Sequence, residues 1–106
     1  MNVYTIYADL KEDVNPHMFL ESINAFFKTL DTLHAHRITR MKLGFRSKNI
    51  GEWRIDMEFK TMQELDDAME LVLYNKDTED NHIRFTQYVD GSSLDHFLYR
   101  DFPDEI

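Results

Sequence analysis

The alternation of apolar and polar residues is strongest between Ile38 and Lys60, where it predicts two β-strands joined by a tight connection. Successive side chains on a strand point to opposite faces, so a period of two separates an apolar face from a polar one. The apolar set is Thr39, Met41, Leu43, Phe45, Trp53, Ile55, Met57 and Phe59; the polar set is Arg40, Lys42, Gly44, Arg46, Glu52, Arg54, Asp56 and Glu58. The hairpin therefore has one densely charged face and one apolar face that needs a cover.

Two amphipathic helices are predicted to supply that cover. The first begins at Asn15 and Pro16, because asparagine caps an unpaired amide and proline loses nothing at the first helical position; it is expected to end between 34 and 37. Its apolar stripe is Phe19, Ile23, Phe26, Leu30 and Leu33. The second helix is predicted over 62–75, because Thr61 and Glu64 form a capping-box pattern. Its stripe is Leu65, Ala68, Met69, Val72 and Leu73.

Two further strands complete the predicted elements. Residues 2–10 form the first strand, and its more apolar set, which is expected to face the helices, is Tyr4, Ile6, Ala8 and Leu10. Residues 76–82 form a polar loop, and the fourth strand runs from Ile83 to Asp90. On that strand the opposed sets are Ile83, Phe85 and Val89 against Arg84, Thr86 and Tyr88. Residues 91–93 then break the strand and precede one or two helical turns over 94–99.

The order strand, helix, strand, strand, helix, strand predicts a ferredoxin-like α+β fold. Right-handed crossovers would place both helices on one face of a four-stranded antiparallel sheet. We expect a single domain over 1–106, with a core over 2–90 and a C-terminal extension over 91–106. The other sheet face would display Val3, Thr5, Tyr7, Arg40, Lys42, Arg46, Arg54, Asp56, Glu58, Arg84, Thr86 and Tyr88.

This layout resembles the ferredoxin-like dimeric α/β-barrel families, which include antibiotic-biosynthesis-monooxygenase-like proteins, stress-responsive barrel proteins and many uncharacterised small bacterial proteins. The resemblance covers residues 2–90 and consists of element order, size and an extension after the last strand. It implies a homodimer in which two sheets close face to face around a cavity for a small organic molecule. The resemblance assigns no catalytic residue in this chain, because Trp53 and the histidines do not reproduce the Asn, Trp, His set of the haem-degrading members.

Composition narrows the function classes. The chain has 106 residues, which suits one domain, and a net charge of −8, which argues against a general nucleic-acid binder. It has no cysteine, which excludes disulfides, thiolate zinc sites and cysteine nucleophiles. No apolar run approaches the roughly 18 residues of a membrane span, and the N-terminus does not resemble a signal peptide. We therefore expect a cytoplasmic protein without a membrane partner, and we predict no cofactor.

The polar sheet face is the main candidate site. A guanidinium binds a carboxylate through two parallel hydrogen bonds, so Arg54, Arg84 and Arg40 would hold a small organic anion or amphipathic molecule inside the homodimer. The complete predicted ligand site is Tyr7, Arg40, Lys42, Arg54, Asp56, Glu58, Arg84 and Tyr88. In the alternative interpretation these charges form only cross-strand ion pairs on a solvated face, each stabilising by roughly 0.2–1 kcal/mol.

Two other functions stay open at this point. The first is a cofactor-independent monooxygenase or isomerase on the same fold, with Asp56 or Glu58 acting beside Tyr7, Tyr88 or a histidine if enclosure raises a carboxyl pKa. The second is an interaction module that binds no ligand.

The histidines and the C-terminal aromatic residues are interpreted as structural. His34 and His36 would share a face only if extended, and no acidic or cysteine partner lies at a recognised spacing, so we predict no metal site. His82 is expected on the surface and His96 in a packing role. The aromatic tail, which is hard to bury in one small domain, is expected to pack on a partner subunit; it comprises Phe97, Leu98, Tyr99 and Phe102.

Overall fold

The computed structural model describes residues 1–42 and 50–103. Within these ranges four strands form one antiparallel sheet and three α-helices cover one of its faces. The strands are β1 (Asn2–Ala8), β2 (Ala35–Arg40), β3 (Trp53–Phe59) and β4 (Asp95–Arg100), and the helices are α1 (Pro16–Phe27), α2 (Met62–Tyr74) and α3 (Lys76–Thr86). The strand order is β2-β3-β1-β4. The predicted ferredoxin-like α+β class is confirmed.

Strand β1 lies at the centre of the sheet and determines which residues share a face. Tyr4 is opposite Met57 on β3 and Leu98 on β4, whereas Thr5 is opposite Asp56 and Phe97. Side chains of directly opposed residues point to the same side of a sheet. The even-numbered positions of β1 therefore face the helices and the odd-numbered positions face away, as predicted for this strand. We call the side away from the helices the open face.

The hydrophobic core lies between the sheet and the helices. Its buried members are Ala8, Phe19, Ile23, Phe26, Phe27, Leu30, Ile55, Met57, Phe59, Leu65, Ala68, Phe85 and Val89. Both predicted helix starts are present: the Asn15 side chain accepts the His17 amide at 2.9 Å, and Thr61 accepts the Glu64 amide at 3.1 Å. The Glu64 carboxylate in turn accepts the Lys60 amide at 3.2 Å. These caps orient the apolar stripes of α1 and α2 toward the sheet.

Helix α1 ends at Phe27, well before the predicted end at 34–37. Short-range bonds replace the helix there: the Thr29 amide donates to Phe26 and the Leu30 amide to Phe27, each over three residues. The turn keeps Leu30 buried, so the apolar spacing continues although the helix does not. The His34 amide then donates to the Glu58 carbonyl at 2.9 Å, and β2 begins one residue later.

The predicted parity of the first hairpin strand is wrong by one position. Ile38 is opposite Ile55 and Arg40 is opposite Trp53, which packs on Phe19 of α1 with ring centroids 5.8 Å apart. Arg40 therefore lies on the helix side, whereas Thr39 lies on the open face. A one-residue change of register moves every side chain to the other face. Leu43, Gly44, Phe45 and Arg46, which supported the predicted parity, lie outside the described residues.

The predicted fourth strand over 83–90 is wrong, because residues 76–86 form α3. The Asn75 side chain caps this helix by accepting the Thr78 amide at 3.1 Å. Acidic residues occupy its first turn and Arg84 its last, which suits the helix dipole. Thr78 and Phe85 are buried seven positions apart, which places them on one face of the helix, and Val89, which follows the helix, is buried as well. This 3.6-residue period is also present in the sequence, but the shorter alternation over 83–89 obscured it.

The strand that completes the sheet is β4, in the segment predicted to form helical turns and an extension. Before this strand, Asp90 caps a short 3₁₀ turn at Gly91–Ser93. Its carboxylate accepts a hydrogen bond from the Ser92 amide at 3.0 Å. The six residues that follow pair with β1 along most of its length. Both faces of β4 carry large apolar side chains, so no clean alternation marked it as a strand. In the described ranges, no helix has the length and apolar character needed to cross a bilayer.

Replacing Gly51 by alanine is expected to destabilise the fold. A Cβ at Gly51 would lie 2.5 Å from the backbone nitrogen of Ala8 and 2.6 Å from its Cα. Ala8 belongs to the central strand β1, so moving its backbone to relieve the clash would cost free energy. We expect Gly51→Ala to lower the free energy of unfolding by about 1–3 kcal/mol in urea titrations followed by Trp53 fluorescence. Gly91→Ala is the matched control, since a Cβ there meets nothing within 4 Å and the change should stay within about 0.5 kcal/mol. Equal stability of the two variants would contradict this packing.

Candidate functional site

Four of the predicted ligand residues lie together on the open face. They are Tyr7, Arg54, Asp56 and Glu58, on β1 and β3. Arg54 Nε lies 3.1 Å from both carboxylate oxygens of Asp56, and the Thr5 hydroxyl donates to the same carboxylate at 2.6 Å. The Arg54 guanidinium also lies 5.7 Å from the Tyr7 ring centroid. The charge of Arg54 is therefore already paired, and an added anion would compete with Asp56 for it.

The other four predicted ligand residues lie elsewhere. Arg40 stacks over Trp53 on the helix side, 5.1 Å from the ring centroid, with Nε 2.9 Å from Glu52. Lys42 lies beyond the end of β2 and is exposed, and Arg84 is exposed on α3. Tyr88 follows α3 and packs half-buried against the core. The structure therefore does not bring the three proposed arginines together.

Aromatic side chains from β4 occupy the edge of the open face. The Phe97 ring lies edge-on to Tyr7 at 5.9 Å and stacks with Tyr99 at 6.1 Å. Phe97 and Tyr99 remain 41% and 44% exposed. Arg37, assigned from the sequence to the end of helix 1, also lies on this face, opposite Asp56. The open face thus combines paired charges on β3 with exposed aromatic surface on β4.

A second candidate site is a cavity of about 120 Å³ between the sheet and the helices, which we call the sheet–helix cavity. Most of its wall is apolar and comes from β1, β3 and all three helices. The titratable groups in the wall are Tyr4, His82 and His96; the other lining residues are Ile6, Ile23, Phe26, Phe27, Leu30, Ile55, Met57, Phe59, Leu65, Ala68, Met69, Val72 and Phe85. A concave apolar site with a few convergent polar groups is typical of small-molecule sites.

Tyr4 and His96 form a hydrogen-bonded pair in this wall. The Tyr4 hydroxyl oxygen lies 2.7 Å from His96 Nδ1, and the two rings meet edge-on with centroids 5.9 Å apart. The pair joins β1 to β4 on the helix side, since both residues occupy positions of the same parity. Burial raises the pKa of Tyr4, so the phenol keeps its proton at neutral pH. When His96 carries its proton on Nδ1 and donates it to the Tyr4 oxygen, the Tyr4 hydroxyl can donate its own proton to a ligand.

His82 contributes the third titratable group from α3. Its ring packs against Phe26 at 5.4 Å and against Phe85 at 5.2 Å, both edge-on. Burial lowers the pKa of His82, which favours the neutral imidazole. His82 is half-buried on α3, whereas the polar loop predicted over 76–82 leaves it on the surface. Its spacing of three residues from Phe85 is the signal that places it on the buried side of a helix.

Histidines at the start of β2 do not form a metal site with the described residues. In residues 1–42 and 50–103, no three His, Cys, Asp or Glu side chains are arranged to hold a metal ion. His36 instead stacks on Phe27 of α1, with ring centroids 4.3 Å apart.

Comparison with known proteins identifies the family. A model described as a family of unknown function, DUF6614, matches residues 1–106. The chain belongs to this family. No protein of curated function matches the sequence.

Solved structures share the fold at low sequence identity. At3g17210 from Arabidopsis thaliana matches with a TM-score of 0.79 and 10% identity, over 100% of both chains. A dimeric ferredoxin-like protein of unknown function from Jannaschia sp. CCS1 has a TM-score of 0.69 and 6% identity, over 94% of this chain and 98% of that one. A variant of SnoaB, a cofactor-independent oxygenase from Streptomyces nogalater, has a TM-score of 0.63 and 12% identity, over 97% of both chains. The resemblance drawn from the order of elements is confirmed as one of fold.

The depressed pKa of His82 predicts a pH dependence of stability. The unfolded chain titrates near the ordinary value of 6.5, so below that pH it binds this proton more readily than the folded protein. The contribution of the neutral His82 imidazole to the free energy of unfolding is complete above pH 6.5, and it is lost as the pH falls toward the lower pKa of the folded protein. Replacing His82 by glutamine removes the group. The loss of unfolding free energy between about pH 7.5 and about pH 5 should therefore be smaller in His82→Gln than in the natural protein, measured by urea titration.

The control for this measurement is His17→Gln, which removes an exposed histidine from the first turn of α1. It should leave the acid-dependent loss of stability unchanged. An equal loss in His82→Gln and in the natural protein would contradict the burial of a neutral imidazole.

Proposed function

We propose that this protein is a homodimer in which each protomer binds a small, mainly apolar organic molecule in the sheet–helix cavity. The observation that carries the proposal is the cavity itself, whose wall is apolar apart from a few side chains. The polar end of the ligand would lie at Tyr4 and His96. This keeps the small amphipathic ligand expected from the sequence and assigns it to the helix side of the sheet.

The size of the cavity limits the ligand. An engineered cavity of about 150 Å³ lined by Leu, Ile and Phe binds benzene. The sheet–helix cavity has a similar lining and about 120 Å³, which suits one six-membered ring or a short alkyl group. The Tyr4 hydroxyl and the His96 imidazole can form hydrogen bonds, so a ring with one oxygen substituent would satisfy both the size and the polarity of the site.

A small organic acid on the open face is less well supported. The anion would have to replace Asp56 at Arg54, where two 3.1 Å contacts and the Thr5 hydrogen bond already satisfy the carboxylate. Removing one partner from such a pair leaves an uncompensated charge, which is costly when the face is covered.

The open face supports the dimer instead. Phe97 and Tyr99 expose aromatic surface on the sheet face opposite the three described helices. Aromatic side chains are enriched in the buried centre of interfaces, and sheets can pack face to face about 10 Å apart. Arg54 and Asp56 pair with each other, so this part of the face can be covered without leaving either charge alone. The Jannaschia protein of the same fold is described as dimeric.

Charge on the open side of β4 is expected to disrupt the dimer. Phe97→Lys combined with Tyr99→Lys should shift the protein from dimer to monomer in sedimentation equilibrium, because two lysines from each protomer would be brought face to face. Leu98→Lys is the matched control: it lies on the same strand, is 50% exposed and faces the helix side. The control should stay dimeric. A natural protein that is monomeric at micromolar concentration, or a double variant that is dimeric, would contradict the proposed interface.

Filling the cavity is expected to weaken ligand binding without unfolding the protein. Titrating benzene and phenol into the natural protein should produce saturable changes in the NMR signals of residues such as Ile55 and Phe85. Ala68→Leu should weaken both probes by about tenfold or more, because the added side chain occupies the space a probe needs. It should not lower the stability, because new methyl groups enter unfilled space rather than a packed core.

The control for cavity filling is Ala25→Leu on α1, which enlarges a helical alanine that does not line the cavity. Its affinity for both probes should remain that of the natural protein. Absence of saturable binding to the natural protein would overturn the ligand site, as would unchanged affinity in Ala68→Leu.

A further inference from the structure

We infer that the sheet–helix cavity is a proton-transfer site for a small cyclic ketone, with Tyr4 binding the ketone oxygen and His82 accepting a proton from the adjacent carbon. The inference rests on the proposed binding function and adds a reaction to it. It starts from the placement of a hydroxyl and an imidazole from different elements, β1 and α3, in the wall of one apolar cavity.

Tyr4 suits the oxygen-binding role. Its hydroxyl is 2.7 Å from His96 Nδ1. In the tautomer with a proton on Nδ1, His96 donates to the Tyr4 oxygen, and the proton of the tyrosine is then free to be donated to a ligand. The two hydrogen bonds in series polarise each other and strengthen the donor. A preorganised hydrogen-bond donor stabilises the negative charge that develops on a carbonyl oxygen.

His82 suits the role of the base. Its ring contacts the rings of both Phe26 and Phe85, and the described residues that line the cavity include no carboxylate. Burial among these rings keeps the imidazole neutral, with one ring nitrogen able to accept a proton. Burial thus raises the pKa of Tyr4 and lowers the pKa of His82, so the hydroxyl stays protonated and the imidazole neutral, the two states that the step requires.

The step balances without a cofactor. A C–H bond next to the carbonyl breaks, its proton passes to the His82 nitrogen, and its electron pair forms the C=C bond of an enolate. The carbonyl π electrons move to the oxygen, which accepts the hydrogen bond from Tyr4. Return of a proton from His82 to the same carbon, or to another carbon of a conjugated ring, regenerates the base and gives an exchanged or isomerised ketone.

The size and polarity of the cavity define the substrate class. About 120 Å³ holds a single ring, and the apolar wall favours an uncharged one. The oxygen must lie at Tyr4 and the acidic carbon toward His82. Cyclohexanone meets these requirements, and the exchange of its α-hydrogens is simple to follow by NMR. It is therefore a suitable probe of the reaction class.

The test is the exchange of cyclohexanone α-hydrogens for deuterium in D₂O, followed by NMR with the natural protein. The natural protein should accelerate exchange over buffer with saturation in cyclohexanone. Tyr4→Phe and His82→Gln should each lower the rate at saturation by about tenfold or more, since general acid–base groups contribute at least that much. His82→Gln should still bind cyclohexanone, because the glutamine retains the wall but not the base. His17→Gln, which alters an exposed histidine, controls for exchange by imidazole groups at the surface.

The outcomes separate the binding function from the reaction. Failure of benzene, phenol and cyclohexanone to bind the natural protein would overturn both. Binding of cyclohexanone with exchange no faster than in buffer would overturn the proton transfer and leave the binding function standing. Exchange that persists in both Tyr4→Phe and His82→Gln, but falls in His17→Gln, would assign the catalysis to the surface and also overturn the inference.

Discussion

The pairing of β1 with two neighbours at once is the constraint on which the rest of the structure depends. Its seven residues pair with β3 on one side, and most of them pair with β4 on the other. Because each residue from Asn2 to Tyr7 is opposite one residue on β3 and one on β4, the parity of β1 decides which face the side chains of both ladders occupy. Tyr4 thereby meets His96 on the helix side, and Thr5 meets Asp56 on the open face. Both candidate surfaces follow from this one register.

The two faces of the sheet differ in how their polar groups are satisfied. On the open face the Asp56 carboxylate already accepts hydrogen bonds from Arg54 and Thr5. The charges of Arg54 and Asp56 are therefore suited to being covered by another subunit and poorly suited to capturing a ligand. On the helix side a hydroxyl and imidazoles lie in the wall of an apolar space, and the described residues of that wall include no carboxylate that would compete for them. This contrast is the reason to assign assembly to one face and ligand chemistry to the other.

The candidate site was harder to predict than the fold because its residues belong to three distant parts of the chain. Tyr4 appeared in an apolar set, and nothing local distinguishes a tyrosine that packs from one that binds. His96 lies 92 positions away, on a strand whose two faces are both apolar. His82 was lost with α3, where the alternation of Ile83, Phe85 and Val89 matched a strand as well as the spacing of Thr78, Phe85 and Val89 matched a helix. Short segments with two compatible periods are resolved only by what they pack against.

Local patterns in the sequence were enough to predict the class of fold, strand β1 and its parity, both capped helix starts and strand β3, because each depends on spacing or on a cap within a few residues. The tertiary structure decided which segment became the fourth strand. Residues 95–100 can pair with β1 along its length, whereas 76–86 are capped at Asn75 and bury Phe85 under α1. That exchange removed Arg84 and Tyr88 from the sheet and put Phe97 and Tyr99 on the open face. Competition between two segments for one sheet edge is settled by long-range pairing and burial, which no local pattern contains.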